Sequence, residues 1–263
     1  MKKNRPIGIF DSGIGGTSIW KEVVKVLPCE NTIYLSDSKN APYGIRSTDE
    51  IISLCIKNTE LLISKGCKLI IVACNTATTN AIDHLRNNYE LPFIGIEPAI
   101  KPAALYSKTG AIGILATQGT LTSKLFEKTT NEYTKNIHTI EQDGDGLVSL
   151  IEEGKLQSTA LNELLHKYLK PMLKFNIDHL VLGCTHYPYL IPQIKKLIGN
   201  DIIIIDSGAA VAKQTKAILK KYNLLTESNL ETAHQFFINV QKEVLEKILS
   251  DVTVNYKISE LNF

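Results

Sequence analysis

Two cysteines stand at matching points of the sequence: Cys74 closes the apolar run Leu69-Ile70-Ile71-Val72-Ala73, and Cys184 closes Leu180-Val181-Leu182-Gly183. Each run reads as a buried strand with a thiol at its C-terminal end, where open α/β sheets place their ligand crevice. The residues that follow, Asn75-Thr76-Ala77-Thr78 and Thr185-His186-Tyr187, suit a site-lining loop or helix start. Two thiols facing one pocket would do paired acid/base chemistry. A carbon flanked by a carboxylate and an ammonium group is a very weak acid, so removing its proton needs a base held against it and stabilisation of the developing charge. Opposed thiols meet that need for inversion at such a carbon. A lone Cys-His pair for acyl transfer would leave Cys74 without a role.

His186 lies two residues past Cys184; a structural histidine is the alternative to a helper of the thiol. A thiol near its reference pKa of ~8.5 is mostly protonated at neutral pH, and a nearby histidine or helix N-terminus increases its thiolate fraction. After the first strand comes Asp11-Ser12-Gly13-Ile14-Gly15-Gly16-Thr17-Ser18, a glycine-rich turn opening a helix, whose backbone N–H groups would make an anion site. Ser18 stands where a dinucleotide fingerprint needs its third glycine, and no Walker lysine-serine pair follows, so a substrate carboxylate suits the turn better than a nucleotide. Asp11 at the strand end would orient a thiol or an ammonium group, or act as an ordinary N-cap. The loop Ala41-Pro42-Tyr43-Gly44-Ile45-Arg46-Ser47-Thr48 would offer a phenol and a backbone N–H to a ligand, or form a plain solvent-exposed turn.

The elements that must hold these groups alternate short apolar strands with longer helical stretches, which predicts a mainly parallel α/β architecture. Strands are expected at 7–10, 32–36, 68–73, 93–96, 111–116, 137–141, 179–183, 202–206 and 236–240. Helices are expected near 48–64, 75–88, 118–131, 158–174, 189–198, 208–221 and 240–250. A faint internal repeat lays Ile7-Gly8-Ile9-Phe10 on Ile112-Gly113-Ile114-Leu115, with Cys74 and Cys184 at comparable distances downstream. Chance likeness among short strands is the plain alternative. Two pseudo-symmetric lobes facing across a cleft, one thiol on each wall, follow from the repeat. Residues 1–97 with 207–263 would form the first lobe and 98–206 the second, with crossings at Ile96-Glu97-Pro98-Ala99 and Asp206-Ser207-Gly208.

Composition allows this. The 263 residues are 44% hydrophobic and 21% charged, enough for a sizeable core and against disorder. A net charge of +2 with scattered lysines shows no footprint for nucleic acid. Apolar runs are shorter than a membrane span and Met1-Lys2-Lys3-Asn4-Arg5-Pro6 has no signal-peptide core, so a cytoplasmic protein without membrane contact is expected. The five cysteines, Cys29, Cys55, Cys67, Cys74 and Cys184, show no C-x-x-C spacing and read as reduced thiols, with no metal site expected.

Phe10-Asp11-Ser12-Gly13-Ile14-Gly15-Gly16, Pro42-Tyr43-Gly44, Ala73-Cys74-Asn75-Thr76-Ala77 and Leu182-Gly183-Cys184-Thr185-His186-Tyr187-Pro188 together resemble the bacterial glutamate racemases of the cofactor-independent aspartate/glutamate racemase superfamily. The likeness runs over essentially the whole chain. It implies interconversion of L- and D-glutamate for peptidoglycan precursors, without a cofactor, in a homodimer. It implies Cys74 and Cys184 as proton donors and acceptors, Asp11 assisting Cys74, His186 assisting Cys184, and Glu152 as a further acidic residue near the second thiol. Substrate contacts would come from Asp11, Ser12, Tyr43, Gly44, Asn75, Thr76, Thr185 and His186. Asp143-Gly144-Asp145-Gly146 departs from the Ala-Cys-Pro stretch of many relatives, which leaves substrate contacts there open. The N-terminal extension linked to precursor activation in some relatives has no counterpart, so that regulation is not expected. An aspartate racemase and a non-catalytic binding homologue are the rivals; aspartate-selective relatives tend to carry an acidic residue where His186 stands.

Overall fold

The computed structural model describes residues 2–227 and 231–263. Among these are ten strands: β1 (Ile7–Asp11), β2 (Thr32–Ser36), β3 (Leu69–Val72), β4 (Phe93–Gly95), β5 (Ala111–Ala116), β6 (His138–Asp143), β7 (His179–Gly183), β8 (Ile203–Ile205), β9 (His234–Ile238) and β10 (Tyr256–Glu260). They form two all-parallel sheets, one of order β10-β9-β2-β1-β3-β4 and one of order β6-β5-β7-β8, flanked by helices. Every residue of β1, β2, β3, β5 and β7 is buried, the pattern of parallel strands covered on both faces.

The internal repeat is visible in the pairing register. The order β2-β1-β3-β4 recurs as β6-β5-β7-β8. Gly8 pairs with Ile70 and Gly113 with Leu180, so each glycine faces the residue four places before its sheet's thiol. The chain passes from the first sheet to the second after β4 and leaves the second after β8, and the two connections meet where Ser207 Oγ donates to the Glu97 carbonyl.

Several elements differ from expectation, each for a local reason. The single helix expected at 118–131 is two, Gln118–Leu121 and Lys124–Tyr133, because Ser123 caps the second by accepting the Phe126 N–H at 3.3 Å. Helix Ile100–Tyr106 was not expected; its Pro102 sits in the first turn, where the missing N–H has no helical partner to lose. The stretch at 189–198 opens as a 3-10 turn, Tyr187–Leu190, before helix Ile191–Ile198. β9 starts at His234, and the helix expected at 240–250 covers only Glu243–Ile248. β10 was missed, since Tyr256-Lys257-Ile258-Ser259-Glu260 is half polar, as befits an exposed sheet edge. Among the described residues no helix is long and apolar enough to cross a membrane.

Candidate active site

The C-terminal ends of β1 and β3 in one sheet and of β7 in the other converge on one cleft. Asp11 ends β1, Cys74 follows β3 as the N-cap of helix Asn75–Asn88, and Cys184 directly follows β7. Both thiols are buried and line a single narrow cavity together with Ser12, Asn75, Thr185 and His186. Tyr43, Gly44 and Thr76 border the same space.

The two thiols are supported differently. Cys74 Sγ accepts the Ala77 N–H at 3.4 Å and lies 3.6 Å from Ser12 Oγ. Burial and then the charge of Asp11 push its pKa well above the ordinary thiol value, against the opposing pull of the Ala77 and Ser12 contacts. Cys184 Sγ lies 3.7 Å from His186 Nδ1, and His186 Nε2 lies 2.5 Å from Glu152 Oε1. Burial alone would lower His186, but its bonds to Cys184 and Glu152, with their charges, hold it well above the usual histidine range. The arrangement is a carboxylate–imidazole–thiol chain that holds a positively charged imidazole beside Cys184.

The glycine-rich turn corrects one expectation. Instead of standing free for a substrate carboxylate, its N–H groups serve the protein's own side chains. Gly13 and Gly16 donate to Asp11 Oδ2 at 3.1 and 2.9 Å, and Ile14 donates to Glu152 Oε1 at 2.7 Å. The Gly15 N–H lies 3.2 Å from His186 Nε2, so the turn packs against the same ring nitrogen that faces Glu152. Glycine is required at two of these places by close approach: a Cβ on Gly13 would stand 2.0 Å from Glu152 Oε1, and one on Gly15 2.2 Å from His186 Nδ1.

Asp11 directs its hydrogen bonds to partners other than Cys74. Its Oδ2 holds the turn and its Oδ1 accepts Thr185 Oγ1 at 3.2 Å, so it acts on the thiol through charge. Burial raises the Asp11 pKa to about 6, with His186 and the Gly16 N–H pulling the other way. The Tyr43 phenol is likewise committed, donating to buried Asp37 at 2.5 Å and accepting from Asn58 Nδ2 at 3.1 Å. What Tyr43 and Gly44 offer the cavity is therefore ring and backbone. Thr76 Oγ1 meets Thr117 Oγ1 across the cleft at 2.7 Å. Asn75 is buried in the cavity wall with no side-chain or backbone partner for its two amide atoms.

Asp143, Gly144, Asp145 and Gly146 line an outer hollow of about 130 Å³ that shares Pro42, Gly44, Thr117 and Val148 with the inner cavity. Sequence reasoning did not single out Thr117, Val148 or Ser38. Ser38 donates to Glu152 Oε2 at 2.7 Å, and its one signal is its place just past the C-terminal end of β2. Among the described residues no cluster of His, Cys, Asp and Glu is arranged to hold a metal ion.

Twin parallel sheets with a buried thiol at the matching strand end of each define a two-thiol racemase architecture, and the chain belongs to the Asp/Glu/hydantoin racemase family, whose model matches residues 12–215. Within it, the chain is 44% identical over 223 residues to the glutamate racemase of Herpetosiphon aurantiacus, covering 85% of this chain and 88% of that one. A glutamate racemase isoform of Bacillus anthracis superposes with a TM-score of 0.85 at 32% identity, over 98% of both chains. The Francisella tularensis glutamate racemase in complex with D-glutamate gives 0.84 at 30% identity, covering 99% of this chain and 98% of that one.

Proposed function

We propose that this protein is a glutamate racemase, an isomerase interconverting L- and D-glutamate by direct deprotonation and reprotonation at the α-carbon. The observation that carries the reading is the pair of buried thiols, one from each sheet, lining one cavity. From L-glutamate, Cys184 as thiolate takes the α-proton while imidazolium His186 steadies it, and the Cys74 thiol delivers a proton to the opposite face. The Cys74 thiolate so formed keeps the Ala77 N–H at the start of helix Asn75–Asn88. Negative charge developing on the α-carboxylate is met by the same helix N-terminus and by the Asn75 amide and Thr185. The reverse reaction exchanges the roles of the thiols.

The glutamate racemases it resembles supply D-glutamate for peptidoglycan synthesis, and we assign the same role here. We place the protein in the cytoplasm as a homodimer, with exposed Leu105 and Tyr106 at the end of helix Ile100–Tyr106 as apolar surface available for an interface. We also read residues 1–97 with 207–263 and 98–206 as two lobes.

The test is a polarimetric or coupled-enzyme assay of the purified protein with L-glutamate, D-glutamate and both aspartates, with no cofactor added. Glutamate should be turned over in both directions with a large preference in kcat/KM over aspartate. One methylene alone gives only ~10–200-fold, so polar capture of the side-chain carboxylate must add to it. Equal rates on the two amino acids would reject the assignment.

A further inference from the structure

We infer that Ser38 is a positioning residue for proton transfer at Cys184, acting from the first sheet through Glu152; this rests on the two-thiol reading above. Ser38 Oγ donates to Glu152 Oε2 at 2.7 Å, while Oε1 of the same carboxylate faces His186 Nε2. A carboxylate has two oxygens but can rotate. Fixing one with a charge-assisted hydrogen bond fixes the direction in which the other presents its lone pairs to the imidazole. The imidazole in turn presents Nδ1 to Cys184.

The proton assignment is consistent along this chain. The Ser38 hydrogen points at Glu152, so its oxygen is free to accept from Ser36 Oγ at 3.0 Å. Ser36 is fully buried at the end of β2 and gives the arrangement a rigid root. The 3-10 turn Ser38–Asn40 is pinned independently: Asn40 Nδ2 donates to buried Asp37 at 2.8 Å and the Lys39 N–H donates to Asn239 Oδ1 at 2.8 Å. Ser38 is thus held by a scaffold that does not depend on Glu152. A hydroxyl so placed, its hydrogen aimed into the site and its neighbours satisfied elsewhere, orients a catalytic side chain.

The experiment compares S38A, S38T, E152Q and the double variant S38A/E152Q by kcat and KM for both enantiomers, with thermal melting as a check on folding. Misplacement of a catalytic group by an ångström can cost about 10²-fold. S38A should lower kcat by about 10-fold or more with KM nearly unchanged, and S38T should restore most of it by returning the hydroxyl. In the E152Q background S38A should have little further effect, because its route to Cys184 is already cut. An unchanged kcat in S38A, a loss in KM alone, or losses that multiply in the double variant would overturn the inference. If E152Q itself turns over like the parent, the failure lies in the Glu152–His186–Cys184 reading and not in Ser38 alone.

Discussion

The backbone N–H of Ile14 donates to Oε1 of Glu152 at 2.7 Å, so a turn of the first sheet stabilises a carboxylate carried by the helix Leu147–Glu152. That oxygen is also the one facing His186 Nε2. One oxygen atom therefore joins the turn after β1 to the imidazole beside Cys184. Thr185 Oγ1 on Asp11 and Ser18 Oγ on the Thr185 carbonyl, at 3.2 and 2.9 Å, bind the same turn to the loop after β7.

Gly15→Ala should damage catalysis far more than stability. The new Cβ meets the His186 ring, fully enclosed and unable to move without leaving Glu152 or Cys184. A fall in kcat of about 10²-fold is expected from displacement of the ring. Turnover within a few-fold of the parent, with intact folding by circular dichroism, would mean the ring position is not critical.

Asn75→Ala should raise KM without lowering the melting temperature of the ligand-free protein. A buried amide lacking partners costs on the order of 1–3 kcal/mol, so its removal relieves the empty site while taking a contact from the bound one. A melting temperature that drops sharply with KM unchanged would assign Asn75 to the core instead of the substrate.

Asp11 gives a pH signature with a definite sign. Its folded-state pKa is raised to about 6 from 3.8, chiefly by burial, so the native state binds more protons than the unfolded chain between those values. Its contribution to stability is fully present below the unfolded value and is lost as pH rises through about 6. The melting-temperature difference between parent and Asp11→Asn should therefore favour the parent more at about pH 4.5 than at about pH 8. A difference that moves the opposite way would contradict the raised carboxyl.

What was legible in the sequence is what lies on strands and their ends. Cys74 and Cys184 close unbroken apolar runs, and the likeness of Ile7-Gly8-Ile9 to Ile112-Gly113-Ile114 is matched in register by the pairings of Gly8 and Gly113. What was not legible depends on contacts between distant segments. Glu152, which accepts the Ile14 N–H, and His186, which lies against Gly15, come from the second sheet's side. The Tyr43 phenol turns to Asp37 instead of the cavity, which no local pattern in the loop foretells. Ser38 sits in a polar stretch without a motif, and its partner is 114 residues away. β10 was hidden because an edge strand needs only one apolar side.

The most direct test of the two-thiol account is the fate of the α-hydrogen when L-glutamate is racemised in heavy water. Cys184 should take the protium and Cys74, already exchanged with solvent, should deliver deuterium to the opposite face. The first-formed D-glutamate should therefore be deuterated at the α-carbon while the remaining L-glutamate stays largely protiated, with the pattern mirrored when D-glutamate is the start. Substantial protium in the first-formed product would mean that one base carries the same proton across, and would contradict opposed thiols.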